Sequence, residues 1–336
     1  MTATSDAATD VAEADWAAAE RAIRDAETIL LACHLNPDGD ELGSMLAAGQ
    51  GLAQLGYQVQ ASFPEPFELP DMLSWLPGQE LLVPPAEALI APSLLITFDA
   101  GSADRIGELA SRLETADSSL VFDHHASNTR FGTLNVVDPA AAATGVLVEE
   151  LLARLGARLT PAIAECLYVA ISTDTGSFKY HATTPAVHQL AARLLSTGID
   201  PAAINQRLYD TQPFGALALL GEVLGRARLD ESAASGAGLV TCYATLDDLA
   251  RYGQRPEVLE RIMNLVRTAA EAEVAAVAKQ VGTGTWAVSL RSRGAVDVSE
   301  VAVRLGGGGH RFAAGFTGHG SADEVLAAVR SGLSER

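Results

Sequence analysis

The chain has 336 residues, of which 48% are hydrophobic and 19% are charged, enough apolar material to fill the cores of two domains. Its net charge of -19 argues against a protein that wraps long nucleic acid or lies on an anionic membrane. A small anionic substrate held by a local basic patch and metal ions is compatible with that charge.

Cysteine usage and the N-terminus predict a soluble protein of the reducing cytoplasm. Cys33, Cys166 and Cys242 are odd in number and widely spaced, so buried free thiols are expected. Residues 1–15 are acidic and contain no Lys or Arg, which is typical of a frayed tail and not of a signal peptide. No apolar run approaches the ~20 residues that span a bilayer.

Strands and helices alternate along the first part of the chain. Apolar strands are predicted at residues 28–33, 57–63, 94–98, 119–122 and 134–137. One helix is predicted to begin near Trp16 and end before the first strand. Further helices are predicted at residues 41–55, 104–116, 139–155, 161–174, 185–196 and 201–209, with a helical turn near 72–75. Because the strands are apolar throughout, they predict a parallel sheet with helices on both faces, in a domain spanning residues 16–210.

A second, smaller α/β domain is predicted after a helical linker at residues 211–227. It spans residues 228–333, with strands at 238–244, 273–279 and 286–291 and helices at 256–267, 298–305 and 322–333. The fold class is therefore α/β, and we expect the two domains to face each other across a cleft.

Four apolar runs of the first domain end in acidic or histidine residues. They lead into the segments His34–Asp40, Asp99–Gly101, Asp123–His125 and Asp174–Gly176. Open α/β sheets present their functional groups just beyond the carboxyl ends of strands, so we expect these side chains to converge.

The composition of this group favours divalent metal ions. Carboxylates mixed with imidazole suit Mn²⁺, Mg²⁺ or Fe²⁺, and the lack of converging thiolates argues against structural zinc. Singly, His34 has an alternative interpretation as a core histidine, Asp38 and Asp40 as turn residues, and Asp99 and Asp174 as helix caps. Several carboxylates in one crevice need cations to offset their negative charge. A carboxylate that bridges two divalent ions would provide this and create a two-metal hydrolytic site, which is the site we predict.

A candidate substrate-binding region lies near the C-terminus. The run Gly306–Gly309 is interpreted as a flexible turn whose bare backbone lets an anion approach. Residues 285–316 carry four Arg against two acidic residues, which makes the region locally positive in an acidic chain. The substrate-binding candidates are Arg291, as a bidentate phosphate ligand, with Ser292, Gly308, Gly309 and His310. Arg293 and Arg304 are expected to be solvated surface residues.

These motifs resemble the DHH phosphoesterase family over residues 20–333. The four segments of the first domain match its metal-binding motifs, beginning with His34-x-Asn-Pro-Asp38-Gly-Asp40-x-x-Gly43-Ser44. The C-terminal part is similar to the DHHA1 domain through Ser289-Leu-Arg291-Ser292-Arg293 and the stretch from Gly306 to Gly315. Within the family the chain is most similar to the NrnA-like group, oligoribonucleases that also dephosphorylate 3′-phosphoadenosine 5′-phosphate.

The resemblance implies roles for individual residues. One Mn²⁺ would be held by His34, Asp38 and Asp99, and a second by Asp40, Asp99, His124 and Asp174, with Mg, Co or Fe as other candidate metals. The implied catalytic residues are His125, which would contact the scissile phosphate, Asp123, which would orient a ligand imidazole, and the bridging Asp99. A homodimer is compatible with the resemblance.

The expected activity is hydrolysis of short oligoribonucleotides and linear dinucleotides such as pApA to nucleoside 5′-monophosphates, and of 3′-phosphoadenosine 5′-phosphate to AMP. A cyclic di-AMP phosphodiesterase is the alternative enzyme, and a nucleotide-binding sensor the alternative outside the enzymes. The DHHA1-type glycine segment argues against a family II pyrophosphatase, and the lack of extra domains argues against a RecJ-type nuclease acting on long DNA. Base recognition stays open, because residues 263–275 depart from the family pattern; Phe178, Tyr180, Phe312 and Phe316 are candidates for stacking.

Overall fold

The computed structural model describes residues 11–334, so the first ten residues of the predicted acidic tail lie outside the described residues. The chain divides between Asp210 and Thr211 into two compact units, and each unit has its own sheet. Within the described range, no helix combines the length and apolarity needed to cross a membrane. All three cysteines are buried and free, as predicted.

Unit 1 is built on a five-stranded parallel sheet with strand order β2-β1-β3-β4-β5, which confirms the predicted α/β class. Its strands are β1 (Thr28–Cys33), β2 (Gln58–Ser62), β3 (Leu94–Phe98), β4 (Ser118–Asp123) and β5 (Leu134–Val137). The central strands β1, β3 and β4 are buried on both faces, as continuous apolar runs of a parallel sheet require.

The helices of unit 1 pack mainly on one face of this sheet. They are α1 (Glu13–Asp25), α2 (Gly39–Gln54), α3 (Arg112–Thr115), α4 (Thr144–Leu155), α5 (Pro161–Asp174), α6 (Pro185–Leu195) and α7 (Pro201–Tyr209). The main core lies between the sheet and the helices other than α3, and it includes Trp16, Phe98 and Phe122. The opposite face is covered by a smaller cluster in which Ile106 and Leu109, from the 3₁₀ segment Ala103–Ser111, pack on Leu30 and Leu95 with α3 beside them. Helical segments therefore lie on both faces, as predicted.

Two predicted helices of unit 1 differ from the structure. The helix expected at residues 104–116 is interrupted, because Gly107 adopts φ of +50° where its Cα lies against Pro64 and a Cβ would come within 2.8 Å of that ring. The helix expected from Pro139 begins only at Thr144. Before it, the side chain of Asp138 accepts a hydrogen bond from the Ala140 N–H, which stabilises a turn in place of the first helical turn.

Unit 2 contains a six-stranded mixed sheet with strand order β10-β11-β9-β8-β7-β6. The strands are β6 (Arg228–Asp230), β7 (Leu239–Ala244), β8 (Val274–Gly282), β9 (Thr285–Ser292), β10 (Gly308–His310) and β11 (Ala313–His319). The helices are α8 (Phe214–Gly225), α9 (Ala233–Gly236), α10 (Leu246–Tyr252), α11 (Glu260–Val266), α12 (Val298–Arg304) and α13 (Ala322–Ser334). Among the described strands of unit 2, only β7 and β8 pair in parallel.

The two faces of the second sheet are covered differently. Trp286, Val288 and Leu290 alternate into a core shared with α12 and α13. On the other face, α8, α10 and α11 cover β7 and β8, and the predicted linker helix α8 contributes Leu219 and Val223 to that core. The residues of β9 and β11 that point to this second face are partly or fully exposed, so the β9–β11–β10 part of the face stays open to solvent.

The glycine run is the main correction in unit 2. The sequence predicts a flexible turn at Gly306–Gly309, whereas Gly308–His310 forms the edge strand β10, paired antiparallel with β11. At Gly309 a Cβ would come within 2.5 Å of the Ala314 Cα. Glycine is therefore needed here so that β10 and β11 can approach closely. Because glycine has a low strand propensity, the sequence pattern does not predict a strand at this position.

Candidate metal centre

The candidate site of unit 1 lies at the carboxyl edge of its parallel sheet. His34 directly follows β1, Asp99 directly follows β3, and Asp123 is the last residue of β4. Because these three strands are neighbours in the sheet, their ends meet at one edge. Asp174 is the last residue of α5 and joins the same group through His124.

The His124 ring lies at the centre of the group. Its Nε2 atom is 3.1 Å from Asp174 Oδ2, 3.4 Å from Asp99 Oδ1 and 3.9 Å from Asp40 Oδ2. Its Nδ1 atom lies 3.1 Å from the Ala141 carbonyl oxygen, so Nε2 is the nitrogen that faces the carboxylates.

Burial and mutual repulsion shift the pKa values of these groups. Burial acts to lower the pKa of His124, but the hydrogen bond to Asp174 and the charges of Asp40 and Asp99 outweigh it, and the pKa is raised. Burial raises the pKa of Asp99 to about 7 and also raises the pKa of Asp40, with neighbouring carboxylates adding to the shift of Asp40. Positive charge, such as that of a bound cation, stabilises the ionised form of buried carboxylates that repel one another.

The N-terminus of α4 holds two of the carboxylates in place. Asp40 is fully buried and accepts hydrogen bonds from the backbone N–H groups of Thr144 (2.6 Å) and Gly145 (3.0 Å) and from the Ser44 hydroxyl (3.0 Å). The Thr144 hydroxyl donates to Asp99 Oδ1 at 2.8 Å. Thr144 therefore connects the carboxylates at residues 40 and 99.

A second part of the site is formed by the turn after β1. His34 Nε2 lies 4.0 Å from Asp99 Oδ2, and its Nδ1 atom lies 2.9 Å from Glu41 Oε1. Asp38 caps α2 and accepts a hydrogen bond from the Asp40 N–H. Burial lowers the pKa of His34 and raises that of Glu41.

Asp123 contacts the His125 ring and not the ring of His124. Its Oδ1 atom lies 2.8 Å from His125 Nδ1 and accepts the backbone N–H of His124, while Oδ2 accepts from the Asn128 amide. The hydrogen bond to Asp123 is the main cause that raises the pKa of His125, whose side chain is 37% exposed. The resemblance implied that Asp123 orients a metal-ligand imidazole; in the structure it orients the more exposed histidine.

The donor set fits divalent metal ions. Three groups of side chains have ligand atoms within 4.8 Å of one another: Asp40, His124 and Asp174; Asp99, His124 and His125; and His34, Asp38 and Glu41. All six predicted metal-binding residues fall in these groups. Among the described residues no cysteine belongs to these groups, so the donors are hard oxygen atoms and imidazole nitrogens.

Three substrate-binding candidates of unit 2, Arg291, Gly308 and His310, lie on the open face of its sheet, whereas Gly309 is opposite the core residue Ala314. Arg291 is directly opposite Ala313 of β11, and Ala313 is opposite His310 of β10. Directly opposed residues share a face, so Arg291 and His310 lie in one row about 10 Å apart. The adjacent row of small residues contains Ser289, Gly315 and Gly308, which leaves the surface between them flat.

Other candidates of unit 2 are engaged in local structure. The Ser292 hydroxyl donates to Glu273 Oε1 at 2.9 Å, within a turn. Arg293 and Arg304 are exposed, as expected, but they also donate to the backbone carbonyls of Ala269 and Gly332 respectively.

The aromatic candidates for base stacking have different environments. Phe316 is buried in the core, and Phe178 packs against the ring of His188 with centroids 5.5 Å apart. Tyr180 and Phe312 are exposed, and the Tyr180 ring lies against Gly176.

Glu41 and Thr144 belong to the site although the sequence did not identify them. The spacing Asp38-x-x-Glu41 is that of a capping box, a readable signal, but it indicates only a helix start. Thr144 is more than 100 residues from Asp40, and no local pattern links the two.

Comparison with known proteins assigns both units to the domain families that the sequence motifs resemble. The DHH family N-terminal domain matches residues 28–171, and the DHHA1 domain matches residues 239–335. The chain is 34% identical to the bifunctional oligoribonuclease and PAP phosphatase NrnA of Thermus thermophilus, covering 91% of this chain and 90% of the relative.

Two further matches are weaker or are structural. The chain is 26% identical to the cyclic-di-AMP phosphodiesterase GdpP of Geobacillus thermodenitrificans, covering 86% of this chain but 44% of that protein. The crystal structure of an exopolyphosphatase-related protein from Bacteroides fragilis superposes with a TM-score of 0.88 at 24% identity, covering 98% of both chains, which shows a shared fold.

Proposed function

Because the chain belongs to the DHH phosphoesterase family, with a DHHA1 domain, we propose that it hydrolyses short oligoribonucleotides and linear dinucleotides such as pApA to nucleoside 5′-monophosphates, and 3′-phosphoadenosine 5′-phosphate to AMP. The observation that carries this proposal is the convergence of Asp40, Asp99 and Asp174 on one nitrogen of His124. Such a group fits a metal-dependent phosphoesterase better than a site without cations.

We assign the metal-binding role to His34, Asp38, Asp40, Asp99, His124 and Asp174, with two Mn²⁺ ions as the proposed occupants. When bound, these ions would polarise the phosphoryl group and offset the negative charge that develops on it. Thr144, Gly145 and Ser44 keep Asp40 and Asp99 oriented before substrate arrives, because each donates a hydrogen bond to one of these carboxylates.

His125 is the proposed contact to the scissile phosphate. Asp123 holds its Nδ1 atom, which leaves Nε2 for the substrate. Asp123 also raises the pKa of His125 and so favours the protonated ring. A protonated imidazole suits either charge stabilisation or protonation of the leaving oxygen.

Arg291 and His310 are the proposed anchors for a terminal phosphate. They lie in one row of an open sheet face whose intervening residues are small, so a phosphate and sugar meet no bulky side chain between them. A fixed anchor for a chain end favours short substrates, since a long strand has its end far from most of its scissile bonds. Arg also suits bidentate phosphate binding.

A cyclic dinucleotide phosphodiesterase is the second candidate. It is supported by the similarity to GdpP, which acts on cyclic di-AMP, although the chain covers less than half of that protein. A cyclic substrate lacks a terminal phosphate, so the two candidates differ in their expected dependence on Arg291.

The test is Mn²⁺-dependent hydrolysis of pApA, cyclic di-AMP, 3′-phosphoadenosine 5′-phosphate, a long RNA and pyrophosphate, measured side by side. We expect rapid release of AMP from pApA and 3′-phosphoadenosine 5′-phosphate, and little turnover of the long RNA. Dominant hydrolysis of cyclic di-AMP would select the second candidate. Dominant hydrolysis of pyrophosphate, or no turnover of any nucleotide, would contradict both.

A further inference from the structure

Glu41 is a buried carboxylate with no assigned role in the proposed function. It is fully buried in the first turn of α2, and no hydrogen-bond donor contacts its Oε2 atom. A buried carboxyl group with an unsatisfied oxygen destabilises a fold. Helix capping alone does not require a carboxyl group at this position, because glutamine also serves there.

The Oε1 atom of Glu41 contacts two of the proposed metal-binding residues. It accepts the backbone N–H of Asp38 at 2.7 Å and lies 2.9 Å from His34 Nδ1. His34 Nδ1 also lies 2.8 Å from the Leu35 carbonyl oxygen. With two acceptors at Nδ1, the ring carries its hydrogen there, and its Nε2 lone pair is left facing Asp99.

We propose that Glu41 is a positioning residue that fixes His34 and Asp38 for one metal ion. The inference rests on the proposed metal-dependent function. It predicts that the contact of Glu41 Oε1 with His34 Nδ1, and not only its hydrogen bond to Asp38, contributes to metal affinity.

The Glu41→Gln variant separates this role from simple capping. Gln and Glu serve equally at the third helical position of a capping box, because either side chain accepts the N-cap N–H through its oxygen. The substitution therefore keeps the cap and the side-chain volume, but it replaces the carboxyl group that faces His34 with a weaker acceptor.

Unit 2 offers a matched control at its own capping box. Asp248 is also a buried carboxylate at the third position of a helix, α10, where it accepts the backbone N–H of Thr245 at 2.8 Å. Among the described residues it belongs to no candidate metal-binding group. Asp248→Asn therefore makes the same change from a carboxyl group to an amide at a capping box away from the proposed metal centre.

The experiment is titration of Mn²⁺ into metal-free protein by isothermal calorimetry, for the parent chain, Glu41→Gln and Asp248→Asn, with the thermal midpoint of each metal-free protein as a folding control. We expect the parent to bind two ions. Glu41→Gln should bind one of them about tenfold more weakly, the lower end of the 10–100-fold typical for partners of metal ligands. Its metal-free midpoint should not fall, and Asp248→Asn should bind both ions like the parent.

The outcomes separate this inference from the proposed function. Identical isotherms for Glu41→Gln and the parent would mean that Glu41 only caps α2, and would overturn the inference while leaving the proposed function intact. Equal weakening of both ions would also overturn it, because Glu41 contacts only His34 and Asp38 among the proposed ligands. A parent chain that binds no Mn²⁺ would overturn the proposed function as well.

Discussion

At the scale of single residues, Asp99 combines an unusual backbone conformation with a central position in the site. Its φ of +53° lies in the left-handed region, which Asp and Asn tolerate better than other non-glycine residues. Its side chain accepts from Thr144 and lies within 4.0 Å of nitrogen atoms in three histidines. The residue therefore links both parts of the candidate centre.

Asp99→Asn should abolish turnover of pApA without unfolding the chain. Asn tolerates the backbone conformation and still accepts the Thr144 hydroxyl, but it removes the charge shared by both proposed ions. We expect the rate to fall at least about 10²-fold, because mutating even a residue that only contacts a metal ligand typically lowers metal affinity or activity by about 10–100-fold. The measurements are the rate with Mn²⁺ and the thermal midpoint; a folded variant with normal activity would contradict the assignment.

Asp248 should make unit 2 sensitive to acid. The hydrogen bond from Arg226 is the main cause that lowers the pKa of Asp248 to about 2, below the ordinary value of 3.8. A depressed folded-state pKa stabilises the fold above the ordinary pKa, and this stabilisation is lost as the pH falls from about 4 to about 2.

We therefore expect Asp248→Asn to lower the free energy of unfolding by about 2 kcal/mol at pH 7, with the difference from the parent shrinking below about pH 4. Urea unfolding at several pH values measures it. A difference between variant and parent that stays constant down to pH 3 would contradict the role of this charge.

At the scale of secondary-structure elements, the start of α4 brings backbone N–H groups to Asp40. Gly145 makes this possible, because a Cβ there would lie 2.7 Å from the Ala170 Cβ of α5. Because glycine has no Cβ, α4 and α5 approach closely enough for the N–H groups of Thr144 and Gly145 to reach the Asp40 carboxylate.

Gly145→Ala should destabilise unit 1 by about 1–3 kcal/mol through overpacking, and it should weaken Mn²⁺ binding. Gly221 in α8 is the matched control, because no atom lies within 4 Å of its Cβ position. Gly221→Ala should stabilise the chain by about 0.5–1 kcal/mol through helix propensity. Thermal midpoints and Mn²⁺ titrations measure both; equal effects of the two substitutions would contradict the packing argument.

The row across β9, β11 and β10 predicts how Arg291 contributes to substrate binding. Arg291→Ala should raise the KM for pApA by at least about tenfold, the loss expected for a charge-assisted phosphate contact. It should change the kinetics of a small chromogenic phosphodiester much less. Arg293→Ala, two residues along and anchored on backbone carbonyls, is the control and should leave both KM values near the parent's. Equal losses on both substrates would exclude a terminal-phosphate role for Arg291.

The elements show what sequence patterns reveal and what they miss. The strands at 28–33, 94–98 and 134–137 match their predicted bounds, because continuous apolar runs between polar turns leave few alternatives. The break at Gly107 and the strand at Gly308–His310 were missed, since both depend on contacts with distant residues, Pro64 and Ala314. In the site, the ends of apolar runs were enough to predict the metal-binding residues. The role of Thr144 could not be predicted, because it depends on how α4 packs against α2.

At the scale of the whole molecule, all the proposed metal-binding residues belong to unit 1, although they span the chain from His34 to Asp174. The unfolded chain scatters these ligands, so metal ions should bind the folded state far more tightly. Removal of metal should therefore destabilise unit 1 most.

We expect Mn²⁺ at about 100 times its Kd to stabilise unit 1 by about 2.7 kcal/mol for each site occupied, and to raise its thermal midpoint. Differential scanning calorimetry with Mn²⁺ and with EDTA measures the shift. Asp99→Asn should show a smaller shift than the parent. Unchanged midpoints on adding Mn²⁺ to the parent would contradict metal binding at this edge of the sheet.

The edges of the second sheet have a consequence for behaviour at high concentration. An exposed edge strand is a template on which another polypeptide can add its own backbone, the first step of many aggregates. Here both edge strands, β6 and β10, have only three residues; β6 carries Arg228 and Asp230, and β10 is mostly glycine. Short, charged or glycine-rich edges recruit further strands poorly. The open face that is proposed to bind substrate beside β10 therefore brings little risk of polymerisation.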